Sequence, residues 1–291
     1  MRYASFRKPD GTVAFGAVSA DGANLCDLRD GSVTTLRAAL AGWGLDGLAR
    51  RAAEASHNVR SSDVQWLPPI TDPAKIICAG VNYATHAAEA GRDVPPYPSL
   101  FPRFVDSFVG HLQPVQRPRV SEMFDYESEL AVVIGRPARH VREEDALRYV
   151  AGYCCLAENS VRDFQKHTGQ VTAGKNFFAS GAFGPWMTSA DSVGEPGKLE
   201  VIGRLNGQEV QHDTVDHMVF SIPRLIAYIS TFTLLMPGDV IATGTPSGVG
   251  MARKPPVYMR DGDVLEVEIP GVGLLRNPVQ DEPPAAQEAA P

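Results

Sequence analysis

Short apolar segments, each followed by a turn containing glycine or proline, recur along the chain. Clear examples are KIICAGV at 75–81, YESELAVVIG at 126–135 and DVIATGTPSGVG at 239–250. Segments of this length, alternating or continuously apolar, are typical of strands rather than helices. With 27 Gly and 23 Pro in 291 residues, turns should also be frequent. The sequence therefore predicts a mostly β protein with some helices, of the α+β class.

The chain is predicted to divide near residue 70. Residues 1–70 alternate between apolar and polar positions at first, then carry a broken helical stripe over 34–55 that glycines interrupt. A proline-containing stretch ends this part, which predicts a small N-terminal α+β domain. We expect one larger domain over 71–280 and a flexible, low-complexity tail over 281–291.

Several local elements of the larger domain follow from turn and capping signals. THAAEAG at 85–91 predicts a short helix, and Asn206-Gly207 predicts the turn of a β-hairpin. The four prolines of RDVPPYPSLFPRF at 92–104 predict an ordered loop. Ser160 and Asp163 have the spacing of a capping box, which predicts the start of a helix.

The charge balance and the length of the apolar runs exclude several classes of protein. Lys and Arg total 27 against 34 Asp and Glu, a formal net charge of -7, which argues against a nucleic-acid partner. No apolar run approaches the ~18 residues of a membrane span. The four cysteines contain no C-x-x-C pair, and the start of the chain lacks the apolar stretch of a signal peptide. We therefore predict a cytoplasmic protein with reduced thiols and no membrane partner.

Three acidic residues form the sharpest chemical feature. Glu127 and Glu129 begin an apolar strand and share one face of it, and Glu158 ends another apolar segment. Like charges beside a core repel and lose solvation unless a proton or a cation intervenes. The alternative is an exposed strand face carrying solvated acids. If the three converge, hard oxygen ligands without cysteine or paired histidine favour Mg2+, Mn2+ or Ca2+ over Zn2+.

Two further signals point to a site with acid–base chemistry. His86 and Glu89 are three residues apart in the short helix, so they share a face, and a carboxylate beside an imidazole orients a general base. The alternative is a surface helix pair. Lys175 lies among small and aromatic residues, where it either snorkels to solvent or faces an anion in a pocket.

The glycine-rich turn at 243–250 could present amides and hydroxyls to a carboxylate. It is not a phosphate loop, because no Gly-Lys-Ser/Thr follows. His212 and His217 are five apart and are interpreted as polar surface. Cys154 and Cys155 should point to opposite faces of a strand and fill the core.

The order of motifs resembles the fumarylacetoacetate hydrolase family over roughly residues 73–278. This resemblance implies a mixed β-sandwich roll behind a smaller N-terminal domain, assembled as a homodimer. It is carried by eight blocks in order: GVNYATHAAEAG, PSLFPRF, DYESELAVVIG, AGYCCLAENSVRDFQ, GKNFFASGAFGPW, NGQEVQ, LMPGDVIATGTPSGVG and GDVLEVEIPGVG.

The resemblance implies a metal site. Glu127, Glu129 and Glu158 match the family's ligands for one Mg2+ or Mn2+ per chain, with Ca2+ also possible. The third ligand in the commonest pattern is Asp, whereas this chain has Glu, which is one methylene longer. The ion would then sit about 1 Å further from this strand or accept a different bite, which leaves the preferred metal open.

The resemblance also implies catalytic and substrate-binding residues. His86 and Glu89 match the pair that activates water, and Lys175 matches the pocket lysine. Thr245 matches the threonine that contacts the substrate carboxylate. For substrate binding we add three residues near these motifs, Gly244, Arg162 and Gln165.

These parts predict a metal-dependent hydrolase that cleaves a C–C bond in a 1,3-diketo acid of the acylpyruvate type, in the catabolism of aromatic compounds or sugar acids. One alternative keeps the metal site and changes the reaction, to an isomerase or decarboxylase of 2-hydroxydienedioate or oxaloacetate-type keto acids. Another is a non-catalytic protein that binds a metal or ligand. The predicted partner is a small keto acid, whose identity the sequence leaves open. Selectivity should come from the segments 90–110 and 163–174.

Overall fold

The computed structural model describes residues 1–89, 91 and 93–284. Strands make up most of its regular structure. In chain order they are β1 (Arg2–Arg7), β2 (Val13–Ala17), β3 (Asn24–Leu25), β4 (Val59–Arg60), β5 (Gln65–Leu67), β6 (Ile76–Gly80), β7 (Ser99–Pro102), β8 (Phe108–Val109), β9 (Val115–Arg117), β10 (Phe124–Asp125), β11 (Ser128–Ile134), β12 (Val150–Ala157), β13 (Ser160–Val161), β14 (Gly181–Ser189), β15 (Glu200–Leu205), β16 (Gln208–Thr214), β17 (Val240–Ala242), β18 (Val264–Ile269) and β19 (Gly273–Asp281).

The helices are short apart from two. They are α1 (Leu36–Glu54), α2 (Ala84–Glu89), α3 (Arg162–Gln165), α4 (Thr172–Lys175), α5 (Ala190–Val193) and α6 (Ile222–Phe232). The hydroxyl of Thr35 caps α1, which is interrupted at Gly44, where φ is 65°. The glycines of this stretch therefore interrupt the helix as the sequence predicts, because glycine adopts a positive φ without steric cost.

A ten-stranded mixed sheet forms the centre of the fold. Its main path runs β2-β1-β14-β12-β11-β17-β6-β7, with β5 beside β1 and β8 beside β14. All pairs are antiparallel except β17 with β6 and β14 with β8. The five-stranded sheet β16-β15-β18-β19-β9 packs against one face of it. The α+β class with a mixed β-sandwich is thereby confirmed.

The two faces of the central sheet contact different cores. In β11, Leu130 and Val132 pack into the core shared with the five-stranded sheet, while Ala131 and Val133 pack into the core under α1. This explains why the strand is continuously apolar rather than alternating, since both faces are buried. Adjacent Cys154 and Cys155 divide between the same two cores, which confirms that they point to opposite faces.

The segment 1–70 contributes directly to the central sheet. Strand β1 pairs with β14, with Tyr3 opposite Met187, and α1 covers the apolar face beside it. The division into a small and a larger domain remains a prediction, because a continuous sheet crosses the predicted boundary. At the other end, β19 continues through Asp281, so the predicted tail begins inside a strand; residues 285–291 lie outside the described residues.

Two local predictions need correction. The stretch 92–104 contains an edge strand, β7, which pairs with β6. Proline is tolerated on edge strands because one side of the strand needs no amide donor, so the prolines do not exclude a strand here. A helix does begin at the predicted place, α3 at Arg162, but Ser160 does not cap it. The Ser160 hydroxyl donates instead to Glu127 Oε1 at 2.6 Å.

The predicted short helix and the predicted hairpin are confirmed, the helix as α2. The hairpin β15–β16 turns at Asn206-Gly207, with φ values of 54° and 79°. Such paired positive φ values match the right-handed twist of the flanking strands. In the part of the chain that the structure describes, no helix has the length and apolar character that a bilayer crossing requires.

Candidate functional site

The candidate site lies at the ends of several neighbouring strands of the central sheet. Strands β6, β12 and β17 run in the same direction, because β6 is parallel to β17 and β11 is antiparallel to both β12 and β17. Strands β6, β12 and β17 therefore end on the same side of the sheet, where β11 begins. The helix α2, the residue after β12 and the turn after β17 consequently meet the start of β11.

The structure brings the three predicted carboxylates together. Glu127 lies just before β11, Glu129 lies within it, and Glu158 follows β12, where its amide donates to the Glu127 carbonyl at 2.9 Å. One ligand oxygen from each of the three lies within 4.8 Å of the others. Their exposures are only 5%, 1% and 1%, so the alternative of solvated acids on an exposed strand does not hold.

Three buried cations surround these acids. Lys175 Nζ lies 2.9 Å from Glu127 Oε2 and 2.5 Å from Glu158 Oε2, so Lys175 does not snorkel to solvent. Arg162 Nη1 lies 2.7 Å from Glu127 Oε1, and Arg103 Nη1 lies 3.2 Å from Glu158 Oε1. Each of these two carboxylates therefore contacts one lysine and one arginine.

Glu129 is the carboxylate without a counter-charge. Among the described residues no lysine or arginine forms an ion pair with it, and its one hydrogen bond comes from the Gly244 amide to Oε2 at 2.8 Å. Burial raises the pKa of Glu129 well above its usual value, and the charges of Glu158 and Glu127 raise it further. In contrast, the charges of Lys175 and Arg162 overcome the effect of burial and lower the pKa of Glu127.

The residues present fit a hard divalent cation. With Asp125, which pairs with Arg162 at 2.7 Å, four carboxylates face three cations and leave a formal net charge of -1. A divalent ion would remove the repulsion that acts on Glu129 and would turn the net charge to +1, which suits an anionic ligand. Three carboxylate oxygens without sulfur or nitrogen ligands are the donor set of Mg2+, Mn2+ or Ca2+.

His86 and Glu89 form the predicted pair. His86 Nδ1 lies 2.8 Å from Glu89 Oε1, and Glu89 also accepts the Gly248 amide on both oxygens, at 3.1 and 2.9 Å. The turn after β17 therefore fixes Glu89, which in turn fixes the imidazole. Because a carboxylate accepts hydrogen bonds, Nδ1 carries the hydrogen, and in the neutral form of the imidazole the lone pair is then on Nε2. A solvated surface pair is excluded, since His86 is only 8% exposed.

A cavity of about 680 Å³ opens onto this site. Its size is suited to a small organic molecule. Both segments predicted to control selectivity contribute to its wall. The lining residues are Gly80, Val81, His86, Asp93, Pro95, Ser99, Phe101, Glu127, Arg162, Gln165, Lys166, Thr168, Gly169, Val171, Lys175 and Met251.

The four predicted substrate-binding residues fall into two groups. Arg162 and Gln165 line the cavity, and among the described residues the buried Nη2 of Arg162 has no hydrogen-bond partner. Gly244 and Thr245 lie behind the acids. The Gly244 amide is bonded to Glu129, and the Thr245 hydroxyl donates to the Ser128 carbonyl at 3.0 Å. Direct contact of this second pair with a substrate remains a prediction.

Several residues of the site were not predicted. Asp125 accepts the amides of Gly250 and Met251 at 2.7 and 3.0 Å, which ties the glycine-rich turn to Arg162. Arg103 contacts Glu158 from the strand-like stretch interpreted as a loop. The available signal was a charged residue between two aromatic or proline neighbours, since Phe124 and Tyr126 flank Asp125, and Pro102 and Phe104 flank Arg103.

The two histidines assigned to the surface are confirmed there. His212 lies beside Glu200 and Glu209, and His217 lies beside Asp213, with side-chain exposures of 42% and 68%. Neither lines the cavity.

Comparison with known proteins defines the family. The family model described as fumarylacetoacetate (FAA) hydrolase C-terminal matches residues 75–280. The chain belongs to the fumarylacetoacetate hydrolase family. The resemblance drawn from the ordered motifs is thereby confirmed.

Proteins similar to this chain are named for different activities. Oxaloacetate tautomerase fahd2 of Xenopus laevis, a mitochondrial protein, is 39% identical over 287 residues, which is 96% of this chain and 90% of that protein. The 5-carboxymethyl-2-hydroxymuconate delta-isomerase of Mycobacterium smegmatis is 30% identical, with a TM-score of 0.78 over 97% of this chain and all of that one. A maleylpyruvate hydrolase of Sphingobium sp. SYK-6, solved with manganese(II) and pyruvate, is 30% identical, with a TM-score of 0.79 over the same shares.

The prediction of a hydrolase that cleaves C–C bonds is wrong on this comparison. The 39% identical relative is named a tautomerase, and a solved isomerase is as similar in sequence as the solved hydrolase. The findings therefore favour the isomerase alternative. The physical reason for the error is that a carboxylate triad, an oriented imidazole and a buried lysine serve either reaction, since proton transfer and water attack both need a base near a polarised keto acid.

Proposed function

We propose that this chain is a metal-dependent isomerase that interconverts the keto and enol forms of oxaloacetate or a closely related 2-keto acid. The observation that carries the proposal is the meeting of Glu127, His86 and Lys175 at one cavity, in a chain similar to an oxaloacetate tautomerase. We further propose Mg2+ or Mn2+ as the ion; the manganese-bound neighbour supports this choice.

The reaction moves one proton and neither gains nor loses atoms. A C–H bond next to the ketone breaks, and an O–H bond forms on the former ketone oxygen. A divalent ion held by Glu127, Glu129 and Glu158 would supply charge that makes this C–H bond more acidic. The chain itself must then provide a base, a positive charge near the substrate oxygen and a group that binds the substrate carboxylate.

His86 is the proposed base. Its Nδ1–H is held by Glu89, so Nε2 is free to take a proton from carbon and return it. Because no water is added to the substrate, this role needs only a base that reaches the bound acid. Asp93 also lines the cavity, but it has no comparable partner that would fix its orientation among the described contacts.

Lys175 and Arg162 provide the proposed positive charges. The charges of Glu127 and Glu158 overcome the burial effect and raise the pKa of Lys175, so its ammonium stays protonated and favours negative charge on the substrate oxygen. Among the described residues Arg162 Nη2 has no hydrogen-bond partner, which supports a contact with the substrate carboxylate. Gln165, which accepts from Arg162 Nη1 at 3.0 Å, would hold that guanidinium in place.

The test measures how fast the enol form of oxaloacetate disappears. Enol oxaloacetate from dry solvent is diluted into buffer containing the protein and Mn2+ or Mg2+, and the loss of enol absorbance is recorded while pyruvate is assayed in parallel. We expect faster loss of the enol without pyruvate, and loss of the acceleration with EDTA. Pyruvate formed in step with enol loss would indicate a decarboxylase instead. A 2-hydroxymuconate-type acid, suggested by the similar delta-isomerase, completes the panel.

The role of His86 has its own prediction. His86→Gln and Glu89→Gln should each lower kcat/KM for enol oxaloacetate, His86→Gln by roughly 100-fold or more because the base is removed. The matched control is His217→Gln, which also breaks a histidine–carboxylate contact, but on the surface. Full activity of His86→Gln would refute the proposed base and leave the metal site untouched.

Assembly and location remain predictions. A homodimer is proposed from the family alone, and sedimentation of the purified chain would test it. A cytoplasmic location was predicted from the start of the chain, whereas the Xenopus relative is named mitochondrial, so imaging of the tagged full chain would decide.

A further inference from the structure

Arg103 is a buried arginine that directly follows β7. All three nitrogens of its guanidinium donate hydrogen bonds. The residue is 3% exposed, and its guanidinium carbon lies 4.3 Å from the centre of the Phe108 ring. Its Nε donates to Ser107 Oγ at 3.1 Å and its Nη2 donates to Ser180 Oγ at 3.0 Å. The remaining nitrogen, Nη1, points at Glu158 Oε1.

The carboxylate of Glu158 is thus bound at both oxygens. Arg103 contacts Oε1 at 3.2 Å, and Lys175 contacts Oε2 at 2.5 Å. Arg103 Nη1 also reaches the Asn159 carbonyl at 3.3 Å, so it binds the backbone beside Glu158 as well as the side chain. Glutamate has one more rotatable bond than aspartate, and these contacts restrict it to one orientation.

We propose that Arg103 is a positioning residue that fixes the Glu158 carboxylate in the orientation needed to bind the divalent ion. The planar guanidinium is anchored to β8 and to the residue before β14 through Ser107, Phe108 and Ser180. Its fixed position therefore restricts the orientation of the Glu158 side chain, which is longer than that of aspartate. This inference rests on the proposed metal site and not on the reaction that the site catalyses.

A purely electrostatic role makes the opposite prediction. If Arg103 only neutralised charge, its removal would make the cluster more negative and would tighten the binding of a cation. If Arg103 positions Glu158, its removal frees the carboxylate and weakens binding. The sign of the change in metal affinity therefore separates the two roles without any measurement of turnover.

The experiment measures Mn2+ affinity of the full chain by electron paramagnetic resonance and by calorimetry. We expect Arg103→Met to weaken Mn2+ binding by roughly 10- to 100-fold, the usual range for residues that orient metal ligands. Arg103→Lys keeps the charge but not the fork, so it should weaken binding less. The matched control, Arg117→Met, removes a mostly buried arginine that pairs with Glu122 and Asp281 away from the cavity, and should bind Mn2+ as the parent does.

A double variant isolates the contact between the two side chains. Glu158→Asp withdraws the carboxylate by one methylene, so adding Arg103→Met to it should weaken Mn2+ binding by much less than Arg103→Met does alone. Independent effects of the two changes would overturn the proposal, as would tighter or unchanged binding in Arg103→Met. If Arg103→Met does not fold, Arg103→Lys decides: unchanged affinity overturns the proposal and weaker affinity supports it. Failure of the parent chain to bind Mn2+ would instead refute the metal site.

Discussion

Lys175 is a buried cation whose two partners, Glu127 and Glu158, also belong to the carboxylate triad. Arg162 also pairs with Glu127, and Arg103 also pairs with Glu158, so each carboxylate keeps one cationic partner if the lysine is removed. The lysine therefore stabilises the cluster in the absence of an ion, and a bound divalent ion would take over part of that role.

This sharing gives a prediction about metal removal. In EDTA, Lys175→Met should lower the free energy of unfolding by about 3 kcal/mol, because a buried ion-pair network loses a member. Saturating Mn2+ should raise the melting temperature of the variant by more than that of the parent, since the cluster has become more negative. The control is Lys198→Met, which removes an exposed partner of Glu195. Equal Mn2+ shifts in parent and variant would contradict this account.

At the scale of elements, the turn after β17 organises much of the site. Gly244 donates to Glu129, Gly248 donates to Glu89, and Gly250 donates to Asp125. One short segment thus holds an acid of the triad, the partner of the imidazole and the partner of Arg162. Its glycines allow this because backbone amides can approach the carboxylates without a side chain between them.

Gly248→Ala tests this role of the turn. Gly248 has a φ of 102°, and an added Cβ would lie 2.2 Å from the Val210 carbonyl oxygen, so the turn must shift and its bonds to Glu89 must break. We expect kcat/KM to fall by roughly tenfold or more, because the proposed base, His86, loses its orientation. The control is Gly262→Ala, which has a φ of 87° with open space around it. It should cost about 1–2 kcal/mol of stability and no activity.

Equal activity losses in the two glycine variants would show that left-handed strain, and not the contact with Glu89, is responsible. Measured by enol absorbance and by urea unfolding, the pair separates effects on the site from effects on stability.

At the scale of the whole molecule, residues 1–70 complete the central sheet. Strand β1 supplies the neighbour of β14, and Leu36 and Leu40 of α1 cover the apolar face that includes Val133 and Phe183. The same face continues to the start of β11, where the acids lie. The N-terminal segment is thereby connected to the site through the strands that it supports.

Deletion of residues 1–70 should therefore destabilise the rest of the chain. The remaining chain would expose the face around Val133 and Phe183, so we expect it to bind a hydrophobic dye and to unfold in urea without a sharp transition. The intact chain under the same conditions is the reference. A truncated chain that unfolds cooperatively, with no dye binding, would instead support an independent domain after residue 70.

The sequence by itself determined what depends on neighbours along the chain. Strand periodicity places Glu127 and Glu129 on one face, and helical spacing places His86 beside Glu89, because both rules act over a few residues. The ordered motifs add the family. Ser160 marks the limit of such local rules: its spacing predicts a cap, but a distant carboxylate, that of Glu127, is its partner in the fold.

Only the tertiary structure decided which distant residues meet. Arg103 contacts Glu158 across 55 positions and Gly248 contacts Glu89 across 159, and no local pattern encodes such pairs. Gly248 meets Glu89 because the sheet order places the ends of β6, β12 and β17 on one side of the sheet. Arg103 follows β7, which is antiparallel to β6, and its guanidinium is bonded to Ser107, Ser180 and Glu158, which belong to three separate segments. The charged groups do not decide between proton transfer and hydrolysis, because both reactions can use them. The two reactions differ in whether a water molecule attacks the bound keto acid.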